Sequence, residues 1–455
     1  MIFAADESVV ESQFAQMSSA SAQALTQAQA RLFEDLASAG LHFEGKSYPV
    51  SIRPLLLEPG TAQWLARAAE QLSPIFDFAA RLYVEDPDVR KLFPAYRSVE
   101  HLIVRLPKHS PLIRVYRLDG LFDETDSFRI LETNTEAPGG VIQNGLAARI
   151  WSKVPNPLMR NVPHDALFQP FAIDPDLILQ EILATHRERV GTLPQRAAVV
   201  TFRGSFKNEV ARMVEGLNRL GVAAETLDAS ELRRDGKSLV DRQGRRVDVV
   251  YNKLDVRDLI DAPEVSDYLH AIADGVVTSI NPLVGQWPLS DKAILALLSD
   301  PRTLGRFSAE QQAFCRAHIP WTRVLREDAT VSPGGHRVDL LQYVSSHRAS
   351  LVLKPSNATR GEGLTLGPFT PQSQWDATIA TAIASEQPYV VQQYVQGRKV
   401  SAVHPADGVV TSLWSGVDAY VYGGNFAGFQ ARASFDPVMN VGKRGILLPV
   451  IVRKG

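Results

Sequence analysis

Cysteine is almost missing from this chain: Cys315 is the single one in 455 residues. That excludes an internal disulfide framework and a multi-cysteine metal cluster, and Cys315 itself reads as a buried or semi-buried helix residue. Neither sign of charge is in excess. The 48 Lys and Arg against 50 Asp and Glu leave a net charge of −2, without the basic footprint that selects nucleic acid or an anionic membrane. No apolar run reaches the roughly 18 residues of a bilayer span. Met1 to Glu7 lacks the basic and apolar regions of a secretory signal. The expected location is the cytoplasm, and Asn357-Ala358-Thr359, a glycosylation acceptor by pattern, reads as chance. The ten histidines form no His-Glu-x-x-His pair, so a zinc hydrolase has no support. Cys315 has no motif around it that would suit an amidase, and neither an internal repeat nor a low-complexity tract is found.

What the sequence does have is concentrated in two short stretches. Arg117-Leu118-Asp119-Gly120 is followed, after the polar run Asp123 to Ser127, by Leu131-Glu132-Thr133-Asn134 and then Pro138-Gly139-Gly140. Strand side chains alternate between faces, so Arg117 shares a face with Asp119, and Glu132 with Asn134. The polar run reads as a hairpin turn. With Asp119 set opposite Glu132, Arg117 falls opposite Asn134, and the turn centres between Thr125 and Asp126. Two carboxylates and an amide oxygen then converge beside a guanidinium. That is a hard-oxygen donor set for Mg²⁺ with a cation for phosphate. The alternative is a surface hairpin of ordinary polar residues. Apolar Ile130 and Leu131 before Glu132, and the sharp turn after Asn134, favour the metal-bearing strand.

The chain is long enough for two or three domains and a sizeable core. Its 45% hydrophobic and 22% charged residues are ordinary for a globular protein. Residues 1–105 read as a helical N-terminal region: Glu11 to Ser38 is rich in good helix formers, and Thr61 to Leu72 and Leu82 to Leu92 continue the pattern. Its aromatic residues Phe33, Trp64, Phe76, Phe78 and Phe93 read as core, and it carries no catalytic signature. Residues 106–190 hold the hairpin, a helix from Val141 to Trp151 and another over Asp174 to Glu188. In 191–285, Ala197 to Phe202, the amphipathic Asn208 to Leu220, Val222 to Leu227 and Val247 to Tyr251 spell a parallel α/β unit. It has no Gly-x-Gly-x-x-Gly fingerprint, so it is not read as a dinucleotide site. Ligands in such sheets still favour the strand carboxyl ends, which makes the loops after Phe202 and Tyr251 candidates.

Residues 286–455 carry the signals for a nucleotide. Lys354 ends an apolar strand, and the glycine-rich loop Ser356 to Gly363 follows it. Such a loop can bring backbone N–H groups close to phosphate, with the lysine neutralising it. A plain β-turn beside an exposed lysine has the same pattern. This is not a Walker loop, since no Gly-Lys-Ser/Thr follows. Tyr389 to Val395 is a core strand on its apolar content, and Gln393 could also meet an adenine edge. Lys292 stands just before a helix, as a phosphate ligand or as a solvated lysine. Arg432 on a late strand could reach phosphate or a substrate carboxylate, or be a surface charge.

Taken in this order, the pieces resemble the circularly permuted ATP-grasp ligases, the group that includes the glutathionylspermidine synthetase domain. In that group the metal strands precede the ATP-binding lysines, as Asp119, Glu132 and Asn134 precede Lys292, Lys354 and Gln393 here. The resemblance covers roughly residues 115–150 and 195–445. It implies an α/β fold with mixed α+β character: a permuted ATP-grasp fold with the helical N-terminal region, a metal-hairpin segment over 106–190, a Rossmann-like pre-ATP-grasp domain over 191–285, and the nucleotide-binding region over 286–455. It also implies roles. Asp119, Glu132 and Asn134 would hold Mg²⁺ on the ATP phosphates. Arg117 would stabilise the transferring phosphoryl group, and Arg432 would help to bind phosphate or the intermediate. Lys292 and Lys354 would hold the α- and β-phosphates, Arg360, Gly361 and Gly363 would close over them, and Gln393 and Val395 would read adenine. The implied enzyme is a carboxylate–amine ligase. It would join a small carboxylate to an amine (amino acid, peptide or polyamine) through an acyl phosphate, with the Ser356–Gly363 loop as lid. The same residues would serve a phosphotransferase. A non-catalytic nucleotide-binding scaffold is disfavoured by the intact metal trio and lysines.

Overall fold

The computed structural model describes residues 5–43, 45–108, 110–160, 167–168, 174–204, 207–359, 361–403, 410–438 and 445–452. The N-terminal region is helical, but its helices are divided differently from the composition's suggestion. Helices α1 (Ala5–Ala15) and α2 (Ser19–Ser38) replace one continuous helix. Ser18 interrupts it and accepts a hydrogen bond from Ser21 N (3.2 Å) as the N-cap of α2. Conversely, the two expected helices over 61–92 merge into α3 (Pro59–Glu85) followed by the short α4 (Pro87–Arg90). The break falls at Asp86 because Pro87 disfavours helical geometry in the residue before it. Asp86 then caps α4 by accepting from Asp88 N (2.8 Å).

Helix α3 buries Leu65, Ala69, Leu72, Phe76 and Tyr83, spaced by three, four or seven residues along one face. That face packs on strand β1 (Val115–Phe122), where the Phe76 and Tyr116 rings meet edge to face, with centroids 5.2 Å apart. Pro74 sits inside α3 and removes one backbone donor. Tyr116 donates its hydroxyl to Ala69 O (2.7 Å) in the turn before it. Tyr116 and Leu118 thus face the helix, and Arg117 and Asp119 face the other way, as period two requires.

Strand β2 (Phe128–Asn134) returns antiparallel to β1 in the expected register: Arg117 pairs with Asn134 and Asp119 with Glu132. The register then slips by one between Asp119 and Gly120, so that Gly120 pairs with Ile130 and Leu131 is the extra residue of a bulge. The turn therefore centres on Thr125, half a residue from the expected place. It is the three-residue loop Glu124-Thr125-Asp126, with Asp126 left-handed at φ 64°. Helices α5 (Gln143–Trp151) and α6 (Leu177–Val190) follow.

The α/β unit is built from β3 (Arg196–Thr201), α7 (Lys207–Arg219), β4 (Ala223–Asp228), β5 (Val249–Asn252) and β6 (Thr278–Ile280). Its strands are parallel, in the order β6-β5-β3-β4. Beyond it come α8 (Ala293–Ser299) and an antiparallel sheet in the order β7-β10-β8-β9, made of β7 (Thr322–Val324), β8 (Leu351–Pro355), β9 (Thr365–Leu366) and β10 (Tyr389–Gln393). Cys315 is fully buried on the helix Ala309–His318, as expected.

The last strands close the main sheet. They are β11 (Lys399–Val403), β12 (Val410–Tyr422), β13 (Asn425–Ser434) and β14 (Gly445–Leu448), and the sheet runs β14-β13-β12-β1-β2, with β11 also on β12. Residues some 300 positions apart thereby become cross-strand neighbours: Asp418 pairs with Asp119, and Tyr420 with Arg117. The architecture is a mixed α/β one. No described helix is long and apolar enough to cross a membrane.

Candidate active site

A cavity of about 380 Å³ lies against the β1–β2 face that carries Arg117 and Asp119. Arg117, Asp119, Glu132 and Asn134 line it from the hairpin, Arg432 from β13, and Lys292, Lys354, Gly361, Gln393 and Val395 from the chain around the β7–β10 sheet. Ten of the twelve residues singled out in the sequence thus meet at one cavity. Arg360 lies outside the described residues. Gly363 is not part of the lining: it has φ 65°, and a Cβ there would come within 2.7 Å of Pro355 Cγ, so it serves the close turn under Pro355.

The deepest charges form a ring of two carboxylates and two guanidiniums. Arg117 donates Nε to Asp119 Oδ1 (2.6 Å) and Nη2 to Asp119 Oδ2 (3.0 Å), a bidentate pair. Arg432 Nη2 donates to Asp119 Oδ2 and to Asp418 Oδ1, each at 2.8 Å. Gln430 Nε2 donates to Asp418 Oδ2 (3.1 Å). Burial pushes Asp119 upward in pKa, but Arg117 and Arg432 together hold it below the usual carboxylate range. For Asp418 burial wins: its carboxyl is pushed up to about 6 despite Arg432, with the neighbouring Asp119 charge adding to the rise. Sequence reading missed Asp418. Its signal was a lone acid in the apolar run Val417 to Tyr422, on the face shared with Tyr420.

The lysines stand opposite. Lys292 pairs with Glu132 (2.9 Å). Lys354 donates to Gln392 Oε1 (2.6 Å), so Gln392 orients it. Burial lowers the Lys354 ammonium to about 8, with Lys292 adding repulsion and Glu132 opposing it. Among the lining side chains Arg117, Arg257, Lys292, Lys354 and Arg432 face Asp119, Glu132, Glu136 and Asp255, five cations against four carboxylates. This leaves the wall net positive, as a polyphosphate site needs.

The glycine-rich loop is anchored at its start. Lys292 N donates to Ser356 O (2.8 Å), and Ser356 Oγ donates to Asp291 Oδ2 (3.0 Å). Arg257 Nη1 donates to Asn357 O (2.6 Å) while its Nε holds Asp255 (2.7 Å). The expected lid is thus tied down over Ser356 to Ala358, and Gly361, at φ 68°, marks the turn beyond. Asp255 and Arg257 follow β5 and line the cavity with Leu254. The loop after Tyr251 therefore reaches the site, whereas Phe202 and Arg203 are not among its lining residues.

The N-terminal region also contributes, through Phe43 and Tyr96 on the cavity wall. Phe43 lies within Gly40-Leu41-His42-Phe43-Glu44-Gly45-Lys46-Ser47, which has the spacing of a Walker loop. It folds instead as an antiparallel pair, His42 opposite Ser47 and Phe43 opposite Lys46, so the phosphate-loop context of strand, loop and helix is not met.

The hairpin carries oxygen donors of the kind a hard divalent cation takes, while both Asp119 oxygens already accept from Arg117, Arg432 and Asn134. Glu132 and Asn134 are partly exposed on the wall, and Asp119 lies beside them. Asn134 Nδ2 donates to Asp119 Oδ1 (3.0 Å), leaving its Oδ1 as acceptor. Among the described residues no three His, Cys, Asp or Glu side chains gather in a metal-binding group. This set could therefore supply only part of a coordination sphere, which is how Mg²⁺ is held when waters and substrate phosphates complete it.

No protein-family model and no curated protein matches this sequence. Among solved structures it is similar to a candidate gamma-glutamylcysteine synthetase from Methylobacillus flagellatus KT, at 13% identity and a TM-score of 0.41 over 83% of this chain and 87% of that one. It is also similar to the D-cycloserine synthetase DcsG, at 15% identity and a TM-score of 0.27 over 57% of this chain and 91% of that one. Likeness this distant says nothing about the chemistry of the site.

Proposed function

We propose that the protein is an ATP-dependent carboxylate–amine ligase on a circularly permuted ATP-grasp scaffold, forming an amide through an acyl phosphate and releasing ADP and phosphate. The observation that carries this reading is the cross-strand pairing of Asp119 with Glu132 and Arg117 with Asn134 on a cavity whose other wall holds Lys292 and Lys354. Two cations for phosphate face an oxygen-donor set and two further guanidiniums, in a space suited to small molecules.

In this reading Lys292 and Lys354 bind the α- and β-phosphates, and Gln392 keeps Lys354 extended towards them. Gln393 and Val395 meet the adenine, and Arg360 and Gly361 close over the triphosphate. Asp119, Glu132 and Asn134 would hold Mg²⁺, which neutralises phosphate charge when bound. Arg117 and Arg432 orient the substrate carboxylate towards the γ-phosphorus and stabilise charge on the transferring group. The carboxylate attacks, ADP leaves, and the amine then displaces phosphate from the acyl phosphate. Excluding water protects that intermediate. Amino acids, small peptides and polyamines are the proposed substrate classes.

The test is ADP release from MgATP by the purified protein, screened against pools of amino acids, polyamines and small carboxylic acids with mass spectrometry of products. A new amide mass, dependent on ATP and absent with Glu132→Ala, is expected. A phosphorylated product without amide would instead make the protein a phosphotransferase.

A further inference from the structure

We infer that Glu209 and Lys253, a buried ion pair outside the cavity, are positioning residues that set the orientation of Arg117 through the Pro138–Gly140 turn. The inference rests on the ligase reading only for the meaning of Arg117; the positioning itself is a matter of geometry. Glu209 lies in the first turn of α7 and Lys253 directly after β5. Each is 4% exposed, and Lys253 Nζ is 2.8 Å from Glu209 Oε2. Taking two charges out of water is unfavourable unless every remaining donor and acceptor is used, and an apolar pair of equal volume would hold a fold as well.

Among the described residues the remaining capacity goes to a single segment. Glu209 accepts from the backbone N–H of Gly140 (3.0 Å), Ile142 (3.1 Å) and Gln143 (3.3 Å). Lys253 donates to Pro138 O (3.0 Å). The turn they grip needs holding, because Ala137 has φ 32°, a conformation side chains other than glycine rarely adopt.

The outer side of the same turn meets Arg117. Gly139 O accepts from Arg117 Nη1 (3.3 Å) and from Tyr420 Oη (2.7 Å). Arg117 uses Nε and Nη2 on Asp119. Gly139 O is therefore the third point that fixes the guanidinium plane, and a planar fork is useful for phosphate only when its plane is set. Pro138 and Gly139 also line the cavity. The path runs from the ion pair to the turn, and from the turn to Arg117.

The test combines crystal structures with nucleotide affinity, using Mg²⁺ and adenylyl imidodiphosphate as probe. In Lys253→Met the Pro138–Gly140 segment is expected to shift and the Arg117–Gly139 contact to be lost, with affinity falling roughly tenfold. Arg117→Lys should weaken binding by itself, and the double variant should bind no more weakly than Arg117→Lys alone, because both act through one group. Glu209→Gln, which keeps an oxygen for the Ile142 and Gln143 N–H groups, should lose less than Glu209→Ala, and it replaces Lys253→Met if that variant does not fold. Additive losses in the double variant, or Arg117 unmoved in the variant structure, would overturn the inference. If the wild type binds no nucleotide, the ligase reading falls, while the place of Arg117 in the variant structure still decides this one.

Discussion

Replacing Asn281 by alanine should cost about 4 kcal/mol of stability, at a net ~1 kcal/mol for each of four hydrogen bonds. Asn281 follows β6 and is 2% exposed. Its Oδ1 accepts from Arg114 N (2.7 Å) and Val115 N (3.0 Å), and its Nδ2 donates to Val115 O (2.7 Å) and Thr135 O (2.8 Å). One side chain thus ties the start of β1 and the residue after β2 to the end of the parallel sheet. Alanine leaves two N–H groups and two carbonyls without these partners in a buried place. Stranded groups can each cost ~1–3 kcal/mol, so the sum lies at the lower end of the plausible range. The assay is urea unfolding followed by tryptophan fluorescence, with the slope against denaturant unchanged and the midpoint lowered. Asn425→Ala is the control: Asn425 is exposed and its side chain donates to nearby Gly423 O (3.2 Å), so its change should stay within ~0.5 kcal/mol. A loss below ~1.5 kcal/mol for Asn281→Ala would refute the four-bond account.

Three further outcomes follow from the same geometry. Because burial holds the Lys354 ammonium at about 8, the cation is present below that pH and lost above it. Affinity for an ATP analogue should therefore fall by up to about tenfold per pH unit above 8, and Lys354→Met should bind weakly with that step absent in a titration by calorimetry. Glu132→Ala or Asn134→Ala should abolish ATP turnover while leaving the unfolding free energy within ~1 kcal/mol of wild type, since the Glu132–Lys292 pair is partly exposed; near-normal turnover in either would discard the metal assignment. Tyr422→Phe should be neutral or stabilising by up to ~1 kcal/mol, because the Tyr422 hydroxyl is buried without a hydrogen-bond partner among the described residues. An unfolding free energy lowered by more than that would show that the hydroxyl is paired.

The hairpin was legible because its register obeys a local rule. Period two and one polar turn are enough to place Asp119 opposite Glu132, and nothing outside residues 115–134 is needed. The one local error, the bulge at Leu131, shifts the turn by half a residue and leaves the pairs on the other side of it untouched. Helix ends were less legible, since Ser18 and Pro87 override composition by capping and by steric exclusion.

The site residues that escaped sequence reading are those whose meaning depends on distant partners. Asp418, Gln392, Glu209 and Lys253 carry no spacing signal of their own. Asp418 matters because β12 pairs with β1 from nearly 300 residues away, and Glu209 because α7 meets the turn after β2. The Walker-like spacing at Gly40 to Ser47 errs the other way, with the right letters on a hairpin instead of a helix N-terminus.

By itself, then, the sequence determined the alternation of faces, the parallel α/β unit and the hairpin pairs, because these follow from backbone periodicity over a few residues. Only the tertiary structure decided which charges share a cavity, which carboxylate is held down and which is pushed up, and which buried pair steadies Arg117. Those outcomes depend on burial and on distances between strands far apart in the chain, and electrostatic energies change steeply with both.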